Sequence, residues 1–172
     1  MTSDLQKKLT KTYPKILSKP MYGIECDDGW YDLLYSLCYE IQTYVDRNGC
    51  TAIIATQIKE KFGSLRFYYH MDIDQVPLDE VAQDNCYKAI NAIVSRYETL
   101  SFETCEVTGN VGSLCKRGQW MKTLCKESAL LLGYEAVPTS SQSSTAAAFL
   151  SAEPSAFLSD EAWLESLSLQ KD

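Results

Sequence analysis

The sequence contains a single histidine, His70, among 172 residues. A nucleophilic cysteine or serine that relied on a histidine base would have to use His70, and no residue pattern around it activates such a nucleophile. The chain also lacks a glycine-rich loop that would hold a phosphate group, and it lacks the ligand pattern of a zinc deaminase. We therefore expect a protein that is not an enzyme.

Long apolar runs and an excess of positive charge are missing as well. The chain has no stretch of about 18 apolar residues that could cross a membrane, and residues 1–17 lack the apolar centre of a signal peptide. We therefore expect a cytoplasmic protein that binds no membrane. The formal net charge of −7 disfavours a general nucleic-acid binder, which needs a basic surface, but it permits a local basic patch.

Cysteine is plentiful, with seven residues, but the number is odd and no export signal accompanies it. Disulfide frameworks are typical of secreted proteins, so we predict reduced thiols that serve mostly as small buried apolar side chains. The seven are Cys26, Cys38, Cys50, Cys86, Cys105, Cys115 and Cys125.

Apolar residues at three- and four-residue steps predict three helices in the first 100 residues. The second is the clearest, because its apolar residues fall on one stripe and Asn48-Gly49 ends it. The predicted ranges are residues 3–17, 28–47 and 78–99.

A β-hairpin is predicted between the second and third helices. Residues 50–62 and 65–70 are rich in β-branched and aromatic side chains, and Gly63-Ser64 between them suits a type II′ turn. Counting outward from this turn places Lys61 opposite Arg66 and Lys59 opposite Tyr68. We expect an α+β fold in which two or three helices pack on a small antiparallel sheet built around this hairpin, and a strand from the C-terminal third is a candidate to widen that sheet.

The predicted α+β domain spans residues 1–135, and its last part, residues 102–134, has the composition of a zinc knuckle. Residues 136–158 form a linker rich in Ser, Thr and Ala, which we expect to be disordered. Residues 159–172 are predicted to form a short amphipathic, acidic helix. Its apolar side is Trp163, Leu164 and Leu167, and its acidic residues are Asp160, Glu161 and Glu165.

The knuckle is incomplete at the level of sequence. Structural zinc is usually bound by two Cys-x2-Cys or Cys-x2-His pairs. Here Thr108 follows Cys105 at that spacing and Ser128 follows Cys125, so each pair keeps its first ligand and lacks its second. Zinc bound by Cys105, Cys115 and Cys125 is one interpretation. The other is a metal-free remnant held by Trp120, Leu124 and Leu130.

Three separated motifs occur in order along the chain. They are Tyr22-Gly-Ile-Glu-Cys26-Asp-Asp-Gly-Trp30, then Gln57-Ile-Lys-Glu-Lys-Phe-Gly-Ser-Leu-Arg-Phe-Tyr68, and then Cys105-Glu-Val-Thr-Gly109 with Gly118-Gln-Trp-Met-Lys-Thr-Leu-Cys125. In these motifs the chain resembles a family of small, mostly uncharacterised proteins of bacteriophages and prophages, over roughly residues 20–134. The resemblance implies a zinc knuckle of which only Cys105 and Cys125 carry over. It also implies a location in the host cytoplasm.

The hairpin supplies the first candidate binding surface. Like charges opposite each other are unfavourable, so Lys61 across from Arg66, with Lys59 and Tyr68 beside them, predicts a site for a phosphate, a nucleic-acid backbone or an acidic protein surface. The alternative is an ordinary solvated face whose cations pair internally with Glu25, Asp27 or Asp28.

The tail supplies the second candidate surface, because Trp and Leu anchors at helical spacing fit a partner's groove and carboxylates steer the encounter. Alternatively, the tail folds back on its own domain or only keeps the protein in solution. The leading hypothesis is a phage-type accessory protein that binds a host protein and so modulates or inhibits a host or defence system. The second is a module that binds nucleic acid or a phosphate ligand.

Overall fold

The computed structural model describes residues 1–18, 23–50, 52–72 and 79–138. These residues form an α+β fold, as the sequence predicts, with four α-helices and two three-stranded sheets among them. Residues 1–138 belong to one compact unit. The tail of residues 159–172, with all six of its candidate residues, and most of the predicted linker lie outside the described residues.

The helices follow the predicted order. Their bounds are α1 (Ser3–Thr12), α2 (Tyr31–Asn48), α3 (Glu80–Leu100) and α4 (Lys126–Leu132). Helix α1 is shorter than predicted, because Pro14 disfavours helical backbone at Tyr13. Helix α2 begins after a 3₁₀ turn, Asp28–Trp30, and ends at Gly49 in the left-handed conformation. The Asp79 side chain caps α3 by accepting a hydrogen bond from the Ala82 N–H.

The first sheet contains β1 (Ile24–Glu25), β2 (Ala52–Lys61) and β3 (Ser64–Asp72), in that order. Strand β1 pairs parallel to β2, so the sheet is mixed, whereas an antiparallel sheet was predicted. Strand β1 has two residues, which are too few to show the alternating pattern that predicts a strand from sequence. Because β2 is central, β3 is left at one edge of this sheet.

The hairpin exists, but its predicted turn is wrong. The two turn residues are Phe62 and Gly63, with φ of 55° and 81°, and positive φ at both positions defines a type I′ turn. The Glu60 carboxylate accepts a hydrogen bond of 2.6 Å from the Gly63 N–H, which favours this turn over one centred on Gly63-Ser64. Lys61 therefore pairs with Ser64, and Lys59 lies opposite Arg66. The shift is two residues, so the side chains from Gln57 to Lys61 keep their predicted faces; a register irregularity between Ala55 and Gln57 reverses the faces of the β2 residues before it.

The main core lies between the first sheet and helices α1, α2 and α3. Helix α2 buries Leu34, Leu37 and Ile41, and α3 buries Ile90 and Ile93 against them. These positions recur every three or four residues, so the apolar stripe that predicted the helices is also what packs them. The sheet contributes Ile53, Ala55, Ile58, Leu65 and Phe67.

The C-terminal part forms a second sheet of its own and does not widen the first. Its strands are β4 (Ser113–Arg117), β5 (Trp120–Leu124) and β6 (Glu135–Ala136), in the order β5-β4-β6. Because Ala136 lies in β6 and the Val137 N–H donates to the Leu114 carbonyl, the ordered chain continues past the predicted domain end at residue 135. A small apolar cluster beneath this sheet contains Cys105, Cys115, Leu124, Cys125 and Ala129.

The prediction of seven reduced thiols is wrong for one pair. Cys50, just after α2, and Cys86, in α3, form a disulfide with a Cα–Cα distance of 6.0 Å. The spacing of these two cysteines in the sequence does not predict that they form a disulfide. They meet because the fold brings α2 and α3 together. The other five cysteines are free and buried, as expected of small apolar side chains.

No helix in the described ranges combines the length and the apolar character that crossing a membrane requires.

Candidate functional site

The basic face of the hairpin is less open than predicted. Arg66 donates hydrogen bonds to the Ser64 hydroxyl (2.6 Å) and to the Leu65 carbonyl (2.8 Å), and it lies 3.9 Å from a Glu98 carboxylate oxygen. Arg66 is thus engaged by the edge of β3 and by α3. Glu25, one of the acidic residues expected to pair with the hairpin cations, does not pair with Arg66. It accepts a hydrogen bond from the Gln57 side-chain amide instead.

The two lysines of this face keep more freedom. The Lys59 ammonium donates to the Gln57 side-chain oxygen at 2.9 Å and lies 5.5 Å from the centre of the Tyr68 ring. Lys61 lies over the ring of Phe62. Within the described part of the chain, neither lysine forms an ion pair with a carboxylate. The predicted four-residue site is therefore reduced to Lys59, Lys61 and Tyr68.

The edge of β3 is the second surface of interest. Residues of an antiparallel edge strand alternate between backbone groups that face the partner strand and groups that face outward. Since the Leu65 and Phe67 amides bond to side chains outside the sheet, the residues whose backbone faces outward are Leu65, Phe67, Tyr69 and Met71.

Side chains cap the first half of this edge. The Leu65 N–H donates to the Ser101 hydroxyl at 2.8 Å, and the Phe67 N–H donates to the Glu98 carboxylate at 3.0 Å. The Leu65 carbonyl accepts from Arg66. Such caps prevent another strand from pairing there.

Among the described residues, no such caps protect the second half of the edge. In the described residues, no side chain bonds to the outward amides of Tyr69 and Met71. Beside them a groove of about 400 Å³ runs between β3 and α3, lined by Phe67, Tyr68, Tyr69, Tyr87, Asn91, Val94, Ser95 and Glu98. A second hollow shares Tyr87 with this groove and is also lined by Met71, Glu80, Gln83 and Asp84, so the two are adjoining parts of one surface. An uncapped strand edge and an adjoining groove thus coincide.

The four knuckle positions converge, as their spacing predicts. Cys105 Sγ lies 3.7 Å from Ser128 Oγ, and Cys125 Sγ lies 3.2 Å from the same hydroxyl. The Thr108 hydroxyl lies 3.7 Å from Cys125 Sγ. Cys115 instead donates to the Ser113 carbonyl. The structure therefore brings Cys105 and Cys125 together at the Ser128 hydroxyl, whereas Cys115, which packs in the same apolar cluster, bonds to backbone carbonyls instead.

The Cys105 thiol is acidic in this setting. Burial is the largest single influence and opposes ionisation, but hydrogen bonds from Thr108, from the Cys125 backbone and from Ser128 together outweigh it. They lower the pKa of Cys105 to about 7. The hydroxyls that replace two metal ligands thus stabilise a thiolate.

The donor set does not fit a structural zinc site. Such sites use four thiolate, imidazole or carboxylate ligands, and here two positions carry neutral hydroxyls. Among the described residues, no group of three or more histidine, cysteine or acidic side chains lies close enough to hold a metal ion. The predicted apolar support is also partly wrong, because Trp120 (73% exposed) and Leu130 (83% exposed) face solvent and only Leu124 is buried.

A buried ionic junction links this knuckle to the segment before α2. The Lys122 ammonium lies 2.8 Å from carboxylate oxygens of both Asp27 and Glu106, and Glu106 is 1% exposed. The other Glu106 oxygen accepts from the Asp27 N–H at 3.1 Å. Burial raises the pKa of Glu106, while the two carboxylates, outweighing burial, raise the pKa of Lys122.

Close backbone packing completes the junction. A Cβ added at Gly29 would lie within 2.6 Å of the backbone of Cys105, Glu106 and Gly109. The Trp30 indole N–H donates to the Thr104 carbonyl at 2.8 Å, and the Thr123 hydroxyl donates to the Gly63 carbonyl at 2.6 Å. All three sequence motifs therefore meet at one place, where residues of each motif hold the fold together.

Sequence reasoning missed both the β3 groove and this junction. Asp27 was considered as a possible partner of the hairpin cations, and Glu106 was given no role, because a carboxylate is usually exposed and nothing local marks Glu106 as buried. Comparison with known proteins adds no assignment, since this chain matches no family model, no curated protein and no solved structure.

Proposed function

We propose that this chain is a non-enzymatic, phage-type accessory protein that acts by binding a host protein in the cytoplasm. The observation that carries the proposal is the β3 edge, of which one half is capped by side chains and the other half is uncapped beside a groove. An edge strand left unprotected is a template for pairing with another chain, and proteins usually block it. Side chains protect one half of the β3 edge and, among the described residues, leave the other half unprotected. This contrast favours the unprotected half as a binding surface.

The buried polar groups support a structural role for the rest of the molecule. Glu106, Lys122 and Asp27 satisfy one another, and the knuckle thiols are engaged by Ser128 and Thr108. The resemblance to phage proteins supports the host as the source of the partner, and it supports the modulation or inhibition of a host or defence system as the outcome.

Photo-crosslinking tests this proposal. Tyr87, on the rim of the groove, is replaced by a photo-reactive amino acid in the full chain, and Tyr39 on α2, of similar exposure (51% and 57%), is replaced in a matched control. We expect one host protein to be crosslinked from position 87 and not from position 39. If both positions capture the same proteins, or position 87 captures none, the groove is not the binding surface. Deletion of residues 139–172 in both variants tests whether the tail takes part in binding the host protein.

A second candidate function is anion or nucleic-acid binding by the hairpin. It is favoured by Lys59, which lies beside Tyr68, and by Lys61, which lies over Phe62; neither lysine has a carboxylate partner among the described residues. Base stacking on an aromatic ring beside cations is typical of single-strand binding. It predicts an affinity that falls steeply with salt and is lost in the Lys59→Ala, Lys61→Ala variant. An unchanged affinity in that variant would exclude it.

A further inference from the structure

We infer that the partner of the β3 groove is an extended, positively charged protein segment that binds by adding a strand to the uncapped half of β3. This inference rests on the proposed function and specifies its partner. It combines three features of the groove: the direction of the backbone groups, the side chains that line it, and its charge.

The backbone of β3 offers a short run of pairing groups. Tyr69 and Met71 both face outward, and two such residues bond to a facing segment of about three residues in an antiparallel ladder or about five in a parallel one. The cap that Glu98 places on Phe67 marks the end of this run. The added strand is therefore confined to residues beyond Phe67, which sets its register.

The groove also has room for the side chains of that strand. Alternate residues of an added strand point to the same face as Tyr69, where α3 forms the opposite wall. That wall presents Tyr87, Asn91 and Ser95, and Asn91 already accepts a hydrogen bond of 2.7 Å from the Tyr69 hydroxyl. The mixture of aromatic rings and small polar groups fits an aromatic or long side chain with a polar end.

The charge of the residues that line the groove indicates which kind of protein segment binds there. The lining residues of both parts of the groove include three acids, Glu80, Asp84 and Glu98, and they include no lysine, arginine or histidine. Asp84 is paired with Lys88 and Glu98 lies near Arg66, while Glu80 has no ion-pair partner among the described residues. A basic segment is therefore attracted. A second copy of this chain is disfavoured, because its own β3 edge carries the same carboxylates.

The test selects displayed random peptides on the intact, full-length protein. We expect binders that carry Lys or Arg and alternate with aromatic or apolar residues. Binding of the best peptide should fall about tenfold in Met71→Pro, which removes an outward N–H, and much less in the matched Met71→Ala variant. Proline at an outward-facing edge position removes no bond to β2.

A modified peptide gives the same information without altering the protein, in case Met71→Pro fails to fold. Methyl groups on the peptide nitrogens that face β3 should abolish binding, and methyl groups on the alternate nitrogens should not. A charge exchange then tests the acidic wall. Glu80→Lys should weaken the basic peptide up to about fivefold, and a Lys→Glu change in the peptide should restore binding to that variant.

Each outcome separates this inference from the function it rests on. Acidic or neutral binders that are sensitive to methylation would overturn the charge assignment while leaving the groove as a protein-binding site. Basic binders that are insensitive to methylation and to Met71→Pro would overturn strand addition. Self-association that Met71→Pro abolishes would identify a second copy as the occupant and overturn a partner segment. Failure of crosslinking from position 87 would instead reject the proposed function.

Discussion

Cys105 shows how a lost metal ligand changes the chemistry of the ligand that remains. Its thiol is fully buried, which by itself would raise its pKa, but hydrogen bonding with Thr108, with Ser128 and with the backbone of Cys125 outweighs burial. The net effect lowers the pKa to about 7, so we expect a large part of this thiol to ionise near neutral pH.

Thiolate absorbance measures this ionisation directly. In the folded protein we expect a thiolate signal that titrates near pH 7, that disappears in Cys105→Ser, and that persists in Cys115→Ser. Thr108→Val keeps the shape of the side chain but removes its hydroxyl, so it should move the titration to higher pH. A titration that Cys105→Ser leaves intact would assign the acidic thiol to another cysteine.

Residue spacing predicted which side chains meet in the knuckle, but not which side chains are buried elsewhere. The Cys-x2 steps placed Cys105, Thr108, Cys125 and Ser128 correctly, because two tight turns impose that geometry locally. Glu106 lies between them and was not recognised. Its burial depends on Lys122, which is 16 residues away, and on Asp27, which is 79 residues away.

At the scale of elements, the knuckle keeps the frame of a metal site without its ligands. Restoring both missing positions in Thr108→Cys, Ser128→Cys should therefore create a four-thiolate site that binds one zinc ion per chain. Binding should raise the free energy of unfolding with zinc concentration, because the site forms only in the folded state.

Elemental analysis and zinc-dependent unfolding check this prediction. Thr108→Val, Ser128→Ala is the matched control and should bind no zinc. Adding Cys105→Ser to the four-cysteine variant should weaken zinc binding sharply. A four-cysteine variant that purifies without zinc would show that the two turns do not hold the ligands at tetrahedral positions.

The helices and strands of the fold were largely predictable, since their apolar periodicities are local properties. The hairpin was located correctly while its register was wrong by two residues. Gly63-Ser64 fits a type II′ turn, whereas the type I′ turn that forms requires positive φ at Phe62, which sequence preferences disfavour; a bond from the Gly63 N–H to the Glu60 carboxylate supports it. Strand β1 was missed because two residues carry no periodic signal, and pairing with β2 alone defines it.

For the molecule as a whole, the Cys50–Cys86 disulfide constrains the unfolded chain. The two residues are 36 positions apart, and closing a loop of that length stabilises a protein by about 4 kcal/mol in the chain-entropy description. We expect a reducing agent to lower the free energy of unfolding by about this amount in chemical denaturation. Cys50→Ser, Cys86→Ser should match the reduced protein and should not respond to the reducing agent. Equal stability with and without reductant would show that the bond does not form in solution.

The ionic junction should contribute strongly to the free energy of unfolding. Lys122→Met leaves the buried Glu106 carboxylate without its counter-charge, which we expect to lower the free energy of unfolding by about 3–5 kcal/mol. Lys116→Met, on the neighbouring strand and exposed, is the matched control and should change it by about 0.5 kcal/mol or less. Adding Glu106→Gln to Lys122→Met should recover part of the loss. Equal effects of the two lysine variants would mean that the junction does not stabilise the fold.

The same junction predicts a loss of stability at alkaline pH. Asp27 and Glu106 raise the pKa of Lys122, so the folded state holds this proton more tightly than the unfolded state does. The resulting stabilisation is complete below the ordinary lysine pKa of about 10.4 and decreases as the pH rises above it. Partly buried tyrosines such as Tyr69, whose pKa is raised to about 12 by burial, also lower stability in the same range. They are present in both proteins, so the difference between wild type and Lys122→Met isolates the lysine. We expect that difference to shrink steadily above pH 10 in denaturation experiments, and a difference that is constant with pH would contradict the assigned pairing.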